Sequence, residues 1–401
     1  MTNESLQYKR LAGSRIRDIL RYYPGIILTG ARQTGKTTLL REVLSDYHYV
    51  SLDVPSLAEQ AELNPAQFLA DNPAPLIIDE AQYAPQLFRH LKHVIDQDRH
   101  LMGQYIITGS QKFTLMKEVG DSLAGRIAWL ELETLSYKEI TQKVELPANR
   151  EELIKLCHRG QFPELWRQPD MPVDSFYSSY LATYLERDVR EILNVTSLRD
   201  FERFIRILAS RSGNILNKSE IARDVGVSVK AIGDWVSVLE ASNQITLLEP
   251  YYQNISKRII KSPKVYFNEV GLLCYLLRLT PQHLAASPFI GAVWETFVFA
   301  ELRKKNRYLE SPYNLFYYRD QRAKEVDFFL ERGGEVTLME VKWSETVTSR
   351  DAKNILKLQE EISTADLPIR NAQHYVISPV SNPYPITETV HAINITDWDG
   401  A

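Results

Sequence analysis

The stretch Ile26–Thr37, which reads IILTGARQTGKT, decides the fold of the first part of the chain. A short apolar run of β-forming residues ends at a glycine-rich turn, and a helical pattern follows from Lys36 to about Leu44. The turn itself, Gly30–Thr37, matches the pattern G-x-x-x-x-G-K-S/T. Its glycines allow the backbone to curl, so that successive N–H groups face phosphate oxygens at the positive end of a helix. The stretch therefore predicts a phosphate-binding loop between a strand and a helix.

The side chains of this loop predict a nucleotide site that uses ATP and Mg²⁺. Lys36 is expected to reach the β- and γ-phosphates, and the hydroxyl of Thr37 is expected to coordinate the metal. The predicted nucleotide-binding residues are Gly30, Arg32, Gln33, Thr34, Gly35, Lys36, Thr37, Thr38 and, further along the chain, Asp79.

A second half of the same site is predicted at Leu76–Glu80, where a buried strand ends in two acids. Asp79 is placed to hold the magnesium through water, together with Thr37. Glu80 is placed to polarise an attacking water, which indicates hydrolysis rather than binding alone. An acid pair after an apolar strand is also compatible with a solvated turn, although its spacing from the phosphate loop favours the site.

Four further positions are candidates for contact with the reacting phosphate. Thr108 ends the strand at Tyr105–Thr108 and is placed to sense the γ-phosphate and the water. Arg126 precedes the next strand and is a candidate for stabilising transition-state charge, in its own subunit or in a neighbour, although a surface arginine fits equally well. Arg187 and Arg190 are weaker candidates for the same role.

The pattern of elements divides the chain into three predicted domains. In residues 1–135, apolar strands alternate with helices, which indicates a parallel α/β sheet covered on both faces. Residues 136–285 are mainly helical, with a helix-turn-helix pattern at 217–240 followed by two strands that resemble a wing. Residues 286–401 follow the order helix, three strands, helix, strand, which indicates an α+β domain. The helices predicted for the middle part are Ser136–Val144, Arg150–Cys157, Phe176–Leu193 and Leu198–Ala209.

The last part contains a second candidate site, in the pattern D-x12-E-x-K formed by Asp327, Glu340 and Lys342. Side chains alternate along a strand, so Glu340 and Lys342 should project from one face, with Asp327 beside them on the paired strand. Asp327, Glu340 and Glu295 are the predicted ligands of a divalent cation, and Lys342 is expected to steady a hydroxide or phosphate charge. The alternative is an exposed strand edge held by salt bridges.

Taken together, the motifs resemble a known family over nearly the whole chain. GARQTGKTTLL, LIIDEAQ, YIITGS, SLAGRI, GQFPELW, YLERDV, SKRIIKSPKVYF, WETFVFAEL, KEVDFF and MEVKW are similar to the prokaryotic AAA-type ATPases whose second half is an uncharacterised domain. The resemblance implies a P-loop core with sheet order 5-1-4-3-2, then a winged helix, then a restriction-endonuclease-like fold. Asp327, Glu340 and Lys342 resemble the PD-(D/E)xK nuclease core, with Val326 where many members have proline. A retained nuclease fold that no longer cuts is the alternative.

Basic residues predict a surface that contacts DNA. Lys257, Arg258, Lys261 and Lys264 lie in the segment 256–264, which contains no acid. Lys230 is the base of the second helix of the helix-turn-helix, which also carries acids, so a structural role for that helix is equally compatible. A solvated wing is the alternative for the basic segment.

Composition limits the class of protein. The chain has 401 residues, with 47 basic and 51 acidic residues and a net charge of -4, which excludes a globally basic protein that coats nucleic acid. Two cysteines are too few for a disulfide framework. No apolar run approaches the roughly 18 residues of a membrane-spanning helix, so we expect a cytoplasmic protein without membrane contact.

These patterns predict an ATP-hydrolysing AAA-type protein that acts on DNA as a motor or switch, with branched or single-stranded DNA as the candidate substrates and with a nuclease-like domain. Self-association is expected, because ATPases of this type often share a site between subunits. The alternative is a signalling or scaffold ATPase, switched by nucleotide, that binds a protein partner and carries an inactive nuclease fold.

Overall fold

A computed structural model describes residues 8–109, 123–185, 189, 198–251, 262–320, 324–364 and 368–400. The chain divides into two units. The first unit comprises residues 1–135 with the short segments 162–167 and 241–243, and the second comprises the remainder of 136–401. The predicted division of the second unit at residue 285 stays a prediction. Within the described ranges, no helix combines the length and the apolar character needed to cross a bilayer.

The first unit is built on a parallel sheet of five strands. The strands are β1 (Gly25–Thr29), β2 (His48–Ser51), β3 (Leu76–Asp79), β4 (Tyr105–Thr108) and β5 (Ile127–Glu131). Their order, β2-β3-β4-β1-β5, is the predicted order 5-1-4-3-2 read from the other edge. The α/β class and the sheet order are therefore confirmed. Because all five strands are parallel, their carboxyl ends lie at one edge of the sheet. The phosphate loop starts at this edge, and Asp79 lies there as the last residue of β3.

Helices connect these strands and cover the sheet. They are α1 (Leu11–Leu20), α2 (Lys36–Val43), α3 (Pro55–Leu63), α4 (Pro65–Asp71) and α5 (Pro85–Gln97), with a short 3-10 turn at Ala81–Tyr83. The last three begin with proline, whose missing N–H is not needed in a first helical turn. Phe68, Phe88 and Leu91 from α4 and α5 pack with Ile78 and Ile107 of the sheet in one buried core.

The second unit begins with a helical region. In chain order, the helices that follow β5 are α6 (Tyr137–Ile140), α7 (Arg150–Arg159), α8 (Pro163–Arg167), α9 (Val173–Tyr184), α10 (Leu198–Ala209), α11 (Lys218–Val225), α12 (Val229–Ala241), α13 (Val270–Leu276) and α14 (Pro281–Ala285). Of these helices, α8 belongs to the first unit. Between α11 and α12, Gly226 has φ of 87°, which suits the tight turn. Strands β6 (Asn214–Ile215), β7 (Ile245–Leu248) and β8 (Lys264–Phe267) form an antiparallel sheet in the order β6-β8-β7.

The carboxyl-terminal part of the second unit is a mixed sheet packed against helices. Its elements are α15 (Ile290–Arg307), β9 (Asn314–Arg319), β10 (Glu325–Arg332), β11 (Glu335–Val341), α16 (Lys353–Thr364), β12 (Arg370–Asn371), β13 (His374–Ile377), β14 (Tyr384–Pro385), β15 (Val390–Ile393) and a 3-10 turn at Ile395–Asp397. The order is β14-β15-β13-β11-β10-β9, with β12 also paired to β11. Leu338, Ile355 and Leu358 belong to the core between α16 and the sheet.

Several element boundaries differ from the predicted ones. The predicted helix Ser136–Val144 is the single turn α6, in which the Ser136 and Glu139 side chains form a capping box and the helix ends at Ile140. The predicted helix Phe176–Leu193 begins earlier and, within the described residues, is assigned as α-helix to Tyr184; residues 190–193 lie outside the described ranges. Strand β14 was not predicted, because it is only two residues long and contains a proline, and its partner β15 was not predicted either.

Gly160 and Gly271 approach each other closely in the second unit, so we expect the packing there to be sensitive to substitution. A Cβ atom at Gly271, in α13, would lie 2.7 Å from the Cα of Gly160 and 2.2 Å from the hydroxyl oxygen of Tyr177. We expect Gly271→Ala to destabilise the second unit by about 1–3 kcal/mol, because the backbone of α7 and the ring must both shift. Denaturant unfolding followed by tyrosine and tryptophan fluorescence measures the change.

The matched control is Gly291→Ala, since a Cβ at Gly291 in α15 meets no atom within 4 Å. This variant should unfold at the denaturant concentration of the wild type or slightly above it, because alanine favours a helix over glycine by up to about 1 kcal/mol. Equal stability of both variants would contradict the close packing of α7 against α13.

Candidate functional site

The phosphate loop follows β1 and has a curled backbone, which at Gly30 only glycine permits. Gly30 has φ of 146°, and a Cβ there would lie 2.3 Å from the carbonyl oxygen of Leu132. Gln33 and Gly35 also have positive φ, of 62° and 88°. These conformations turn the chain back on itself before α2 begins, so that the loop surrounds the amino end of that helix. This is the geometry that lets backbone N–H groups face a phosphate.

The Lys36 ammonium lies across this loop. Its side chain is buried, and Nζ donates hydrogen bonds to the carbonyl oxygens of Gly30 and Ala31 at 3.0 and 3.1 Å. The Thr34 hydroxyl donates to the Ala31 carbonyl at 2.9 Å and closes the same turn. The structure thus holds the charge of Lys36 at the centre of the loop. Arg32, Gln33 and Thr38 complete the predicted set and lie in the loop and the first turn of α2.

The Asp79 carboxylate joins the loop to the sheet. Its Oδ2 atom accepts hydrogen bonds from the Thr37 hydroxyl at 2.8 Å and from the Tyr49 hydroxyl at 2.5 Å. Its Oδ1 atom accepts a hydrogen bond from the hydroxyl of Thr108. Asp79 therefore collects donors from α2, β2 and β4 at the carboxyl edge of the sheet. Thr37, Asp79 and Thr108, predicted as parts of one site, are brought together.

Tyr49 is a member of this group that the sequence did not indicate. It lies on β2, and burial together with its hydrogen bond to Asp79 raises the pKa of Tyr49 to about 12. The guanidinium of Arg41 lies 4.1 Å from the centre of its ring. The phenol therefore stays protonated at physiological pH and acts as a donor to Asp79.

Glu80 is held in an unusual backbone conformation directly after β3. Its φ is 55°, and its backbone N–H donates to the Thr108 hydroxyl oxygen at 3.3 Å. The Gln82 side-chain amide donates to Glu80 Oε2 at 2.5 Å and fixes the direction of the carboxylate. Left-handed backbone is costly for a residue with a Cβ and is often found at functional sites. The Glu80 carboxylate is thus oriented by Gln82.

Arg126 lies against an acid of its own unit. Its guanidinium makes a paired contact with Asp96 on α5, with Nε 2.7 Å from Oδ1 and Nη2 2.9 Å from Oδ2. Hydrogen bonds from Arg126 and then Arg99 hold the pKa of Asp96 well below its usual range. A role for Arg126 on phosphate stays a prediction. Arg187 and Arg190, the other two candidates, lie outside the described residues.

Arg10 supports the phosphate loop from outside the motif. Its Nη1 donates to the Thr34 carbonyl oxygen at 2.9 Å, and its Nη2 donates to the Glu133 carbonyl oxygen at 2.6 Å. The side chain is mostly buried. Arg10 precedes the motif by some 20 residues in a stretch without a pattern, so no signal in the sequence could have indicated it.

The residues of this site fit a nucleotide with Mg²⁺. Thr37 and Asp79 offer hard oxygen atoms 2.8 Å apart, which is the donor type that magnesium prefers. The curled loop offers N–H groups and the Lys36 ammonium to the phosphates.

A second group of charges, here named the carboxylate cluster, lies in the second unit and comprises Glu295, Glu325, Asp327 and Glu340. Lys264 Nζ lies among the first three, 3.2 Å from Glu295 Oε1, 2.6 Å from Glu325 Oε1 and 3.3 Å from Asp327 Oδ1. The side chain of Lys264 is only 2% exposed. Lys264 therefore does not lie on the DNA-contacting surface predicted for it, because its charge is turned inward to these acids.

The pKa of Lys264 reflects these neighbours. Burial alone would lower it, but the neighbouring Tyr266, Glu295, Asp327 and Glu325 raise the pKa of Lys264 well above its ordinary value. The ammonium therefore remains charged. Glu325, a close partner of Lys264, was not predicted, although its place two residues before Asp327 on a strand puts both side chains on one face.

The other atoms of the carboxylate cluster are largely occupied. Asp327 Oδ2 accepts from the backbone N–H of Val341 at 2.9 Å, and Glu340 Oε1 accepts from Lys342 Nζ at 2.7 Å. Tyr266 donates its hydroxyl to Glu295 at 2.5 Å. Glu340 Oε2 is buried and has no hydrogen-bond partner among the described residues.

The predicted metal ligands of this cluster do not fit a divalent cation. Glu295 and Asp327 both point at the Lys264 ammonium, which lies between them. In the part of the chain that the structure describes, no group of three or more acids, histidines or cysteines has the arrangement of a metal site. Glu295, Asp327 and Glu340 are close together, as predicted, but a lysine supplies the positive charge.

The remaining DNA-contact candidates are only partly described. Lys230 is exposed on α12, where Asp234 and Glu240 are exposed as well. Lys257, Arg258 and Lys261 lie outside the described residues.

Comparison with known proteins agrees with the architecture of the first unit. Residues 23–141 match the family described as "AAA domain". Residues 150–283 and 290–398 match the families described as "Domain of unknown function (DUF8612)" and "Domain of unknown function (DUF4143)". The first match and the sheet order together support an AAA-type P-loop domain in the first unit.

Two similar proteins match this chain over most of its length. The chain is 28% identical to the uncharacterized protein Rv2008c of Mycobacterium tuberculosis, over 96% of this chain and 83% of that protein. It is 24% identical to the uncharacterized protein MJ1544 of Methanocaldococcus jannaschii, over 88% of this chain and 81% of that protein.

Solved structures that resemble the chain include a Walker-type ATPase of Pyrococcus abyssi, with a TM-score of 0.45 and 14% identity over 68% of this chain and 96% of that one. The RuvB Holliday junction branch migration motor of Thermotoga maritima has a TM-score of 0.29 and 16% identity, over 58% of this chain and 88% of that one.

The carboxylate cluster predicts a pH dependence of stability. Burial, and then the charge of Asp327, raise the pKa of Glu340 from 4.5 to about 8. Between these pH values the folded chain keeps a proton that the unfolded chain loses, so the free energy of unfolding falls as the pH rises through this window. We expect Glu340→Gln to gain stability relative to the wild type between pH 5 and pH 8, because glutamine does not titrate. Urea unfolding at both pH values measures this.

Glu310→Gln, at an exposed position, is the matched control and should follow the wild type at both pH values. A Glu340→Gln variant whose stability relative to the wild type is the same at pH 5 and pH 8 would contradict a raised pKa at Glu340.

Proposed function

We propose that the first unit binds ATP with Mg²⁺ and hydrolyses the terminal phosphate. The observation that carries this proposal is the position of Asp79, whose carboxylate meets the Thr37 hydroxyl of the phosphate loop and the Thr108 hydroxyl of the neighbouring strand. The alternative, a solvated turn, does not account for a buried carboxylate that is surrounded by hydroxyl donors next to such a loop. The family match of residues 23–141 supports the same proposal.

In this mechanism each residue has a role that follows from its contacts. Bound magnesium would offset the negative charge of the phosphates, with Thr37 and Asp79 as its protein contacts. Lys36 releases the Gly30 and Ala31 carbonyls and donates to phosphate oxygens instead. Glu80 accepts a hydrogen bond from the attacking water and orients it, while Gln82 keeps the carboxylate in place.

Thr108 links the two acids of the site. Its hydroxyl donates to Asp79 Oδ1 and accepts from the backbone N–H of Glu80. A change in what Asp79 binds is therefore transmitted through one hydroxyl to the residue that orients the water. This supports the proposed role of Thr108 in sensing the terminal phosphate.

The hydrolysis proposal is tested by Glu80→Gln. We expect this variant to bind ATP with near wild-type affinity and to lose at least about 100-fold in turnover, because an amide is a poor base for the water. Equilibrium binding of a fluorescent ATP analogue and phosphate release measure the two properties separately. Lys36→Ala should lose ATP binding as well as turnover.

The control is Glu59→Gln, an exposed acid on α3, which should keep both binding and turnover. Unchanged phosphate release by Glu80→Gln would refute the assignment of Glu80.

We propose further that ATP hydrolysis is coupled to DNA through the second unit. Lys257, Arg258 and Lys261 form a basic run without an acid, which suits a phosphate backbone. The pair α11 and α12, with the small sheet of β6, β7 and β8, supports a winged-helix arrangement. The succession α15, β9, β10, β11, α16, β13 supports a restriction-endonuclease-like fold for residues 286–401, after a middle domain of residues 136–285.

A protein partner is the second candidate, and one observation favours it. The exposed face of α12 carries Lys230 together with Asp234 and Glu240, so this face is negative overall. A helix with that charge is repelled by a phosphate backbone, whereas it can pair with a basic protein surface. In this reading the chain is a nucleotide-switched scaffold.

The two candidates are separated by stimulation of the ATPase by DNA. If DNA is the partner, single-stranded or branched DNA should raise phosphate release, and the apparent affinity should fall with salt. Replacing Lys257, Arg258 and Lys261 together by alanine should weaken DNA binding and reduce the slope of log affinity against log salt by up to about 2.7.

The matched control replaces three exposed cations of the same unit, Arg350, Lys353 and Lys357, by alanine and should leave the salt slope unchanged. Absence of DNA stimulation at low salt for every DNA structure tested would refute the DNA proposal and favour a protein partner.

Self-association is also proposed, with an arginine of one subunit completing the site of the next. Arg126 can serve this purpose only after its paired contact with Asp96 opens. Arg187 and Arg190 remain the other candidates.

A further inference from the structure

The carboxylate cluster already contains a cation, and that cation belongs to the chain. Lys264 of β8 places Nζ within 3.3 Å of oxygens from Glu295 on α15 and from Glu325 and Asp327 on β10. The three acids come from two different elements and converge on this one point. A divalent cation bound by the same acids would have to occupy the position of the Lys264 ammonium.

We propose that Lys264 permanently takes the place of a divalent cation in the carboxylate cluster, so that the second unit binds no Mg²⁺ or Mn²⁺ there. The proposed nuclease-like fold then carries a structural charge cluster instead of a metal-assisted hydrolytic site. This inference concerns the second unit alone and does not depend on ATP hydrolysis.

The positions of the oxygen atoms support this exclusion. Magnesium requires several oxygen ligands in octahedral geometry at about 2.0–2.1 Å. Asp327 has one oxygen on Lys264 and the other on the Val341 N–H, and Glu340 has one oxygen on Lys342. Among the described residues, Glu340 Oε2 is the cluster oxygen that is buried without a hydrogen-bond partner, and one such oxygen does not make a coordination shell.

Lys264 is also fixed in place, so the ammonium does not simply move aside for a metal. Its strand β8 pairs with β7 on one side and β6 on the other, where Lys264 lies opposite Leu248 and Ile215. Tyr266, two residues on, stacks on Phe299 at 4.3 Å between ring centres and donates to Glu295. Backbone pairing and packing therefore both hold Lys264 against the acids.

The charge of the cluster is consistent with a resident monovalent cation. Lys264, Lys342 and Arg319 face Glu295, Glu325, Asp327 and Glu340, with Arg319 2.9 Å from Glu325. Lys342 lies 2.7 Å from Glu340. Three positive groups thus offset most of the charge of the four carboxylates.

The test is Mn²⁺ binding by four full-length proteins without nucleotide or DNA: the wild type, Lys264→Ala, Asp327→Asn, and the double variant. Free Mn²⁺ is followed by its electron paramagnetic resonance signal. The wild type and Asp327→Asn should bind Mn²⁺ equally. Lys264→Ala should gain about one equivalent, because three acids lose their cation and a space opens between them, and the double variant should lose that equivalent.

Two results would overturn the proposal. One is an equivalent of Mn²⁺ that the wild type binds and Asp327→Asn does not, which needs no Lys264 variant and so remains decisive even if Lys264→Ala fails to fold. The other is a folded Lys264→Ala protein, shown to melt cooperatively, that gains no Mn²⁺. Because no nucleotide is present, either result leaves the ATPase proposal to its own test with Glu80→Gln.

Discussion

A charge that is removed from water must find a counter-charge or hydrogen-bond donors inside the protein, and both units are organised around this constraint. In the first unit the buried charge is the Asp79 carboxylate, which collects three hydroxyl groups from three elements. In the second unit it is the Lys264 ammonium, which collects three carboxylates. Each solution fixes the relative position of strands and helices that are distant in the chain.

The Asp79 site and the carboxylate cluster around Lys264 differ in how easily a ligand can bind to them. Hydroxyl groups are neutral and can turn from Asp79 to a metal or a phosphate without leaving a bare charge behind. An ammonium among carboxylates cannot leave without exposing three acids to one another, which is strongly unfavourable in a buried place. The first arrangement therefore suits a site that exchanges ligands during a cycle, whereas the second suits a permanent structural element.

The sequence allowed the first site to be predicted because its signals are local. The phosphate loop is a continuous stretch, and Asp79 follows a buried strand whose end must lie at the same edge of a parallel sheet as the loop. Tyr49 and Arg10 could not be predicted, because their roles depend on where β2 and the segment before α1 lie in the fold. Glu340 and Lys342 were placed on one face by alternation alone.

Lys264 shows why the DNA-contact prediction does not hold at one position. In the sequence it ends a run of bases without an acid, which is typical of a surface that contacts phosphate. Its partners Glu295, Glu325 and Asp327 lie more than 30 residues further along and come from other elements. Charge patterns in a short window cannot report such distant partners. Strand alternation does carry a hint, because Lys264 and Tyr266 share a face, and both contact Glu295.

We expect a buried cluster of this kind to contribute more to specificity than to stability, because desolvation of four or more charged groups offsets much of their attraction. In β8 this specificity concerns the register of its pairing with β7. A slip of one residue against β7 would turn Lys264 away and point Val265 at the acids, since side chains alternate along a strand. The slipped arrangement would leave Glu295, Glu325 and Asp327 without their cation. We therefore expect the lysine to disfavour the competing register of β8. Apolar residues alone would distinguish the two registers less strongly, because both faces of this strand are buried.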